Sequence, residues 1–137
     1  ARRIEQAARG TAPAEATALA LPPGAEVARI ERVRLADGRP VAVERAALPA
    51  DALPDPAAVE GSLYAALEAR GRRPVGGSQR LRAVPASRAD ARHLGCAPGE
   101  PLLAIERLCV DGAGRPVELT ETRYLGEAYD FLTDLVT

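Results

Sequence analysis

The sequence predicts an α+β domain, in which a mainly antiparallel sheet carries helices packed on one face. Three observations predict this class: a strand-helix-hairpin unit that occurs twice, turns built on Asp-Gly, and Ala-rich segments that carry helix-capping residues. The 137 residues match the usual size of one domain, and no Pro-, Gly- or Ser-rich linker divides them. We therefore treat residues 1–137 as a single domain.

The repeat has a kernel that reads Ile-Glu-Arg, then a turn containing Asp-Gly, then Arg-Pro-Val. It occurs at residues 30–41 and again at residues 105–117. Upstream of the two copies stand Arg3-Ile4 and Arg80-Leu81, each about ten residues before an Ala-rich segment. Self-similarity of this kind predicts one structural unit used twice, here strand, helix, strand, tight turn, strand.

Each copy of the kernel predicts a β-hairpin. Residues 26–35 and 40–48 are rich in Val, Ile and Leu and flank Asp37-Gly38, a strong hairpin signal because Gly adopts positive φ at little cost. Residues 101–110 and 115–125 flank the second turn. Hairpins join antiparallel neighbours, so most of the sheet should be antiparallel.

Three segments predict helices. The first is Pro13–Ala20 with Thr11 as its cap, and the second is Gly61–Arg70, capped by Ser62 and ended by Gly71. The third spans residues 87–95, with Ser87 as N-cap and Gly95 as the residue that ends it. Residues 49–60 are expected to form a loop with a short turn. Tyr129–Val136 could form a final short strand or a helical turn, and the strand is favoured.

Composition excludes several classes of function. The net charge of −1 argues against nucleic-acid binding by this chain, because phosphate neutralisation needs a basic excess. No apolar run reaches the ~20 residues of a membrane helix. Cys96 and Cys109 are expected to be small buried side chains in a reducing cytoplasm. One His cannot supply a zinc cluster, and no metal or other cofactor is expected.

The common catalytic patterns are absent from the sequence. There is no Gly-rich phosphate loop, no G-x-S-x-G and no C-x-x-C. No catalytic residue is therefore assigned.

Arg32 and Arg34 form the clearest candidate site. Residues i and i+2 of a strand point to the same face, so the two guanidinium groups should lie side by side. Arginine binds phosphate or carboxylate through paired hydrogen bonds, which indicates an anion site. The alternative is an exposed sheet face on which these arginines pair with Glu31 or Glu44.

Other polar residues could complete a pocket. Ser62 stands at a predicted helix start, where free N–H groups favour an anion, although it could also be a simple N-cap. Tyr64 fits either a core or a pocket. Glu44, Glu118 and Tyr124 lie on the second strands of the hairpins, where they could bind ligand hydroxyl groups or simply face solvent.

Taken together, these stretches resemble the UTRA domain, the effector-binding domain of the HutC branch of GntR-type bacterial transcription regulators. The resemblance covers roughly residues 3–135. It rests on residues 30–41 with Glu44 and Pro49, Gly61-Ser-Leu-Tyr64, Leu94-Gly95, residues 98–103 and 105–107, residues 114–118 and Tyr124.

The resemblance implies a chorismate-lyase-like α+β fold in a cytoplasmic, homodimeric regulator. In such regulators the domain follows a winged helix-turn-helix domain, which is missing from this chain and through which alone DNA would be bound. The resemblance also implies that the domain binds a small-molecule effector, and it implies neither membrane association nor a cofactor.

The resemblance also implies roles for the candidate residues. Family members that sense phosphorylated amino sugars hold the phosphate with residues matching Arg32, Arg34, Ser62 and Tyr64. They hold the sugar with residues matching Glu44, Glu118 and Tyr124. The expected ligand is thus an anionic, phosphorylated metabolite. A chorismate-lyase-like enzyme and a dimerisation module without a small ligand remain as alternatives.

Overall fold

The computed structural model describes residues 2–58, 63–130 and 132–136. The elements in chain order are β1 (Arg2–Thr11), α1 (Pro13–Ala18), β2 (Glu26–Ala36), β3 (Arg39–Pro49), α2 (Leu63–Ala69), β4 (Pro74–Pro85), α3 (Arg88–Leu94), β5 (Pro101–Asp111) and β6 (Pro116–Leu125). A short 3-10 turn at Pro56–Ala58 lies in the loop between β3 and α2.

All six strands form one antiparallel sheet in the order β1-β2-β3-β6-β5-β4. Each copy of the repeat supplies three neighbouring strands, and the two copies meet where β3 pairs with β6. The predicted α+β class and the repeated unit are confirmed. The strand order reads the same outward from this seam in both directions, so the two halves are related by an approximate two-fold axis.

The helices divide between the two faces of the sheet. On one face, Leu19, directly after α1, packs with Val27, and Leu94 of α3 packs with Val43. On the other face Leu67 of α2 packs with Ile30. The expectation of helices on one face thus holds for α1 and α3, the helices of the two repeats. The helix between the repeats, α2, covers the opposite face.

The hairpin turns and two helix ends follow the predicted chemistry. Asp37 and Gly38 both have positive φ, 51° and 76°, as the predicted tight turn requires. The Ser87 hydroxyl accepts a hydrogen bond from the backbone N–H of Asp90 at 3.1 Å, and Gly95 ends α3 with φ 67°.

The predicted cap of the first helix is wrong. Thr11 is the last residue of β1, and the N-cap position belongs to Ala12, which makes no side-chain hydrogen bond. Pro13 begins the helix instead, since its fixed φ suits the first helical position and its missing N–H leaves no donor unsatisfied there.

The predicted final strand is also wrong. Residues 129, 130 and 132–136 adopt no strand, and the prediction for Phe131 lies outside the described residues. A strand needs a neighbour to accept its hydrogen bonds, whereas Leu132 and Val136 are 90% and 100% exposed. Among the helices of the described ranges, none has the length and apolar character needed to span a membrane.

Candidate ligand-binding site

A cavity of about 320 Å³ opens on the face of the sheet that α2 covers. It brings together six of the seven residues singled out in the sequence: Arg32, Arg34, Glu44, Tyr64, Glu118 and Tyr124. The seventh, Ser62, lies outside the described residues. The other wall residues are Leu63, Gln79, Ile105, Arg107, Thr120, Thr122 and Tyr129.

Strand register explains why residues so distant in sequence meet. Residues directly opposite each other in an antiparallel pair point to the same face. Arg32 is opposite Glu44, and Glu44 is in turn opposite Thr122 of the second repeat. One row further along, Ala42 is opposite both Arg34 and Tyr124. The cavity floor therefore crosses the seam between the two repeats.

Arg32 and Glu44 form an ion pair inside the cavity. The Nε and NH2 atoms of Arg32 lie 2.9 and 2.7 Å from Oε2 of Glu44. Arg32 is only 3% exposed, so this pairing is shielded from water. The sequence left open a pairing of these arginines with Glu44 on an exposed sheet face. The pairing is present for Arg32, but it lies in the wall of a cavity.

Arg34 occupies a more open position. Its NH1 donates to the Tyr124 hydroxyl at 2.9 Å, and the Tyr124 ring lies against Tyr129 with a centroid distance of 4.6 Å. Arg34 forms no ion pair with any residue that the structure describes. Its positive charge therefore remains available at the cavity mouth.

Glu118 and Tyr64 place polar atoms in the interior of the cavity. The Thr120 hydroxyl donates to Oε1 of Glu118 at 2.9 Å. The other oxygen, Oε2, and the Tyr64 hydroxyl are buried without a hydrogen-bond partner among the described residues. Burial raises the pKa of Glu118. Burial, followed by the nearby charge of Glu118, raises the pKa of Tyr64 to about 12, so its hydroxyl stays a donor.

Arg107 is the main site residue that the sequence reasoning missed. It is exposed and lines the cavity beside Tyr64, whose charged neighbours are Glu118 and Arg107 rather than Arg34. The signal for it was present, because Arg107 ends the second Ile-Glu-Arg kernel just as Arg32 ends the first. Gln79, Thr120 and Thr122 carried no comparable signal.

The chemistry of this cavity suits binding of a polar molecule. Three guanidinium groups face two carboxylates, one of which is already paired with Arg32. Both cysteines are free thiols. Within the described ranges, no cluster of three or more His, Cys, Asp or Glu side chains could hold a metal ion.

Comparison with known proteins agrees with this architecture. Residues 2–130 match the model of the UTRA domain family. A solved ligand-binding domain assigned to the GntR family of transcriptional regulators, from Bordetella bronchiseptica, is 33% identical with a TM-score of 0.89. The match covers 99% of this chain and 91% of that one.

Two further structures are similar over most of their length. A protein described as a transcriptional regulator from Streptomyces coelicolor is 34% identical, with a TM-score of 0.86 and coverage of 96% and 89%. A GntR-family transcriptional regulator from Enterococcus faecalis is 27% identical, with a TM-score of 0.88 and coverage of 98% and 100%. The repeat, the antiparallel sheet and these matches together show that the chain belongs to the UTRA family, the ligand-binding domains of GntR-family transcription regulators.

Proposed function

We propose that this domain senses an anionic, phosphorylated metabolite such as an amino-sugar phosphate, and that the bound ligand alters DNA binding by a full-length dimeric regulator. The observation that carries the proposal is the joint presence, in one cavity, of arginines and acids from both repeats together with hydrogen-bonding hydroxyl groups.

The phosphate is assigned to the Arg34 end of the cavity. Arg34 has no ion pair within the described ranges, and the Tyr124 hydroxyl beside it can donate a further hydrogen bond. Guanidinium groups bind phosphate through two parallel hydrogen bonds. Arg32 supports this end from behind, since its pairing with Glu44 fixes the wall of the cavity.

The sugar is assigned to the interior of the cavity. Glu118 Oε2 can accept a hydrogen bond from a ligand hydroxyl or amino group. The Tyr64 hydroxyl, which the resemblance assigns to the phosphate, lies beside Glu118 and Arg107 and can donate to whichever polar group of the ligand occupies the interior. A buried polar atom without a partner costs about 1–3 kcal/mol, so a ligand that satisfies both atoms gains selectivity over one that does not.

The effect on DNA is proposed from the family alone. A ligand that touches both halves of the sheet can shift the regulator between two arrangements only by the difference in its affinity for them. The sign of that effect follows from which arrangement binds the operator.

The direct test is ligand binding by the isolated chain. Glucosamine 6-phosphate and N-acetylglucosamine 6-phosphate at 100 times their Kd should stabilise it by ~2.7 kcal/mol, a Tm rise of roughly 5–10 °C. The unphosphorylated sugars should give no rise. Arg34→Ala should weaken binding roughly 10- to 100-fold, the worth of a charged hydrogen bond.

Arg80→Ala is the matched control, because Arg80 is an exposed strand arginine outside the cavity. Arg34 is preferred to Arg32 as the test position, since removing Arg32 would leave Glu44 without its partner. Equal shifts with phosphorylated and unphosphorylated sugars, or turnover of chorismate, would contradict the proposal.

A further inference from the structure

Arg107 differs from its repeat counterpart in what stands opposite it. Arg32 is opposite Glu44 on the neighbouring strand, and the two form an ion pair. Arg107 is opposite Thr120, whose hydroxyl donates a hydrogen bond to Glu118. No described residue forms an ion pair with Arg107, so the second repeat carries an arginine without the acid that neutralises the first.

Arg107 and Arg34 lie far apart on the same face. From β2 to β5 there are three strand spacings, about 14 Å in total. Arg34 is level with Leu103, four residues from Arg107, which adds about 13 Å along the strands. The two arginines therefore reach into the cavity from opposite ends.

The Arg107 end opens into an adjoining cavity of about 360 Å³. Tyr64, Gln79 and Arg107 belong to the walls of both cavities and so stand between them. The Tyr64 hydroxyl is buried without a partner in the described part of the chain, and it can donate toward the same space as Arg107 and the Gln79 amide. Three donors thus converge where the cavities meet.

The described wall of the cavity carries more cationic than acidic side chains. Arg32 and Glu44 cancel as a pair. Glu118 is the second carboxyl group of the wall; burial raises its pKa, and the nearby guanidinium group of Arg107 opposes that shift. Neither Arg34 nor Arg107 forms an ion pair with a described residue, and three guanidinium groups share the wall with two carboxyl groups.

We propose that the effector carries two acidic groups, a phosphate bound at Arg34 and a carboxylate bound at Arg107 with hydrogen bonds from Tyr64 and Gln79. The inference rests on the proposed function for the phosphate, replaces the amino-sugar example by a phosphorylated carboxylic acid, and adds Arg107 as the residue that selects a ligand with a carboxylate at its far end.

The test compares two open-chain probes that differ in one end group. Both 6-phosphogluconate and sorbitol 6-phosphate have six carbons and the same phosphate, but only the first has a carboxylate. Calorimetric titration should show 6-phosphogluconate binding at least tenfold more tightly. Arg107→Gln should remove that advantage and leave the affinity for sorbitol 6-phosphate unchanged, while Arg34→Ala should weaken both probes by a similar factor.

Arg80→Gln serves as the control for loss of one exposed arginine, and Tm values report whether the variants fold. Absence of a gain from the carboxylate, or a gain that survives Arg107→Gln, overturns the inference. Sorbitol 6-phosphate separates the two proposals: if it binds through Arg34 without any carboxylate effect, the phosphate proposal stands and the second acidic site does not.

Discussion

Glu118 is 2% exposed and keeps one carboxylate oxygen without a hydrogen-bond donor among the described residues. Because burial raises its pKa, the folded domain binds a proton that the unfolded chain releases at lower pH. Stability conferred by this position is therefore present below the unfolded pKa of about 4.3 and falls as pH rises through the folded pKa.

Glu118→Gln should accordingly stabilise the unliganded domain at pH 7.5. The amide keeps an oxygen to accept from Thr120 and removes the buried charge, for a gain on the order of 1 kcal/mol. Thermal unfolding of both proteins from pH 4 to 8 checks this. The difference in Tm should shrink toward pH 4, and a variant less stable than the parent at pH 7.5 would contradict it.

The sequence predicted site residues correctly where their spacing within a single strand determines which face they share. The i, i+2 spacing of Arg32 and Arg34 predicted their shared face, and both line the cavity. The partner of Arg32 was left open, since Glu31 and Glu44 were equal candidates until strand register placed Glu44 opposite Arg32. Unpartnered buried atoms such as Glu118 Oε2 depend on packing of distant segments, which no local pattern encodes.

Among the elements, β4 depends on one glycine. Gly77 faces β5 so closely that an added Cβ would lie 2.1 Å from the Leu108 carbonyl oxygen and 2.7 Å from Cys109 Cα. Both contacts are with backbone, which cannot swing aside as a side chain could. The pairing of β4 with β5 at this point therefore requires glycine.

Gly77→Ala should destabilise the domain by about 2–3 kcal/mol, because the two strands must separate to admit the methyl group. Gly76→Ala is a matched control one residue away, where an added Cβ meets nothing within 4 Å. Urea unfolding should place the control within about 0.5 kcal/mol of the parent. Equal effects of the two substitutions would show that the close approach does not matter.

Elements were predictable where a local signal is decisive. Asp37-Gly38, Ser87 and Gly95 each impose a backbone conformation or a cap, and each acts as predicted. Thr11 does not cap α1 because it pairs with β2 as the last residue of β1, and this strand pairing overrides its preference for a cap position. The strand prediction for residues 129–136 was wrong for a similar reason, since apolar residues form a strand only where the edge of a sheet offers hydrogen-bond partners.

In the whole molecule, Asp90 links the two repeats on the face opposite the cavity. It is fully buried in α3, where Oδ1 accepts from Arg45 NH2 at 2.6 Å and Oδ2 from Arg123 NH1 at 3.3 Å. Arg45 lies on β3 and Arg123 on β6, the two strands that meet at the seam. The Asp90 carboxylate thus forms ion pairs with one strand from each repeat.

Asp90→Ala should cost about 3–5 kcal/mol, the usual effect of removing one partner from a buried ion pair. Arg82→Ala removes a more exposed ion pair, with Glu121 at 3.7 Å, and should cost no more than about 1 kcal/mol. Denaturant unfolding of the three proteins measures both effects. A loss for Asp90→Ala no larger than that for Arg82→Ala would show that the seam does not rely on this carboxylate.

The antiparallel arrangement of the whole sheet was predictable from the repeat. Two copies of the same unit predicted an antiparallel sheet, and the kernels at residues 30–41 and 105–117 indeed occupy equivalent hairpins. The position of α2 was not predictable in this way, because it belongs to neither repeat and its Leu63 and Leu67 fit either face of the sheet. Since α2 covers the cavity, the site itself could be predicted only in part.

The approximate two-fold axis also bears on how a ligand enters. A cavity built on an exact duplication would look identical from both ends, and a ligand could bind in either of two opposite orientations. Glu44 in one half and Thr120 in the other stand at corresponding places and break that equivalence. Arg34 likewise corresponds to Cys109, and Glu118 to Ala42. The two ends of the shared space therefore differ, so that a molecule with unlike ends fits one way round.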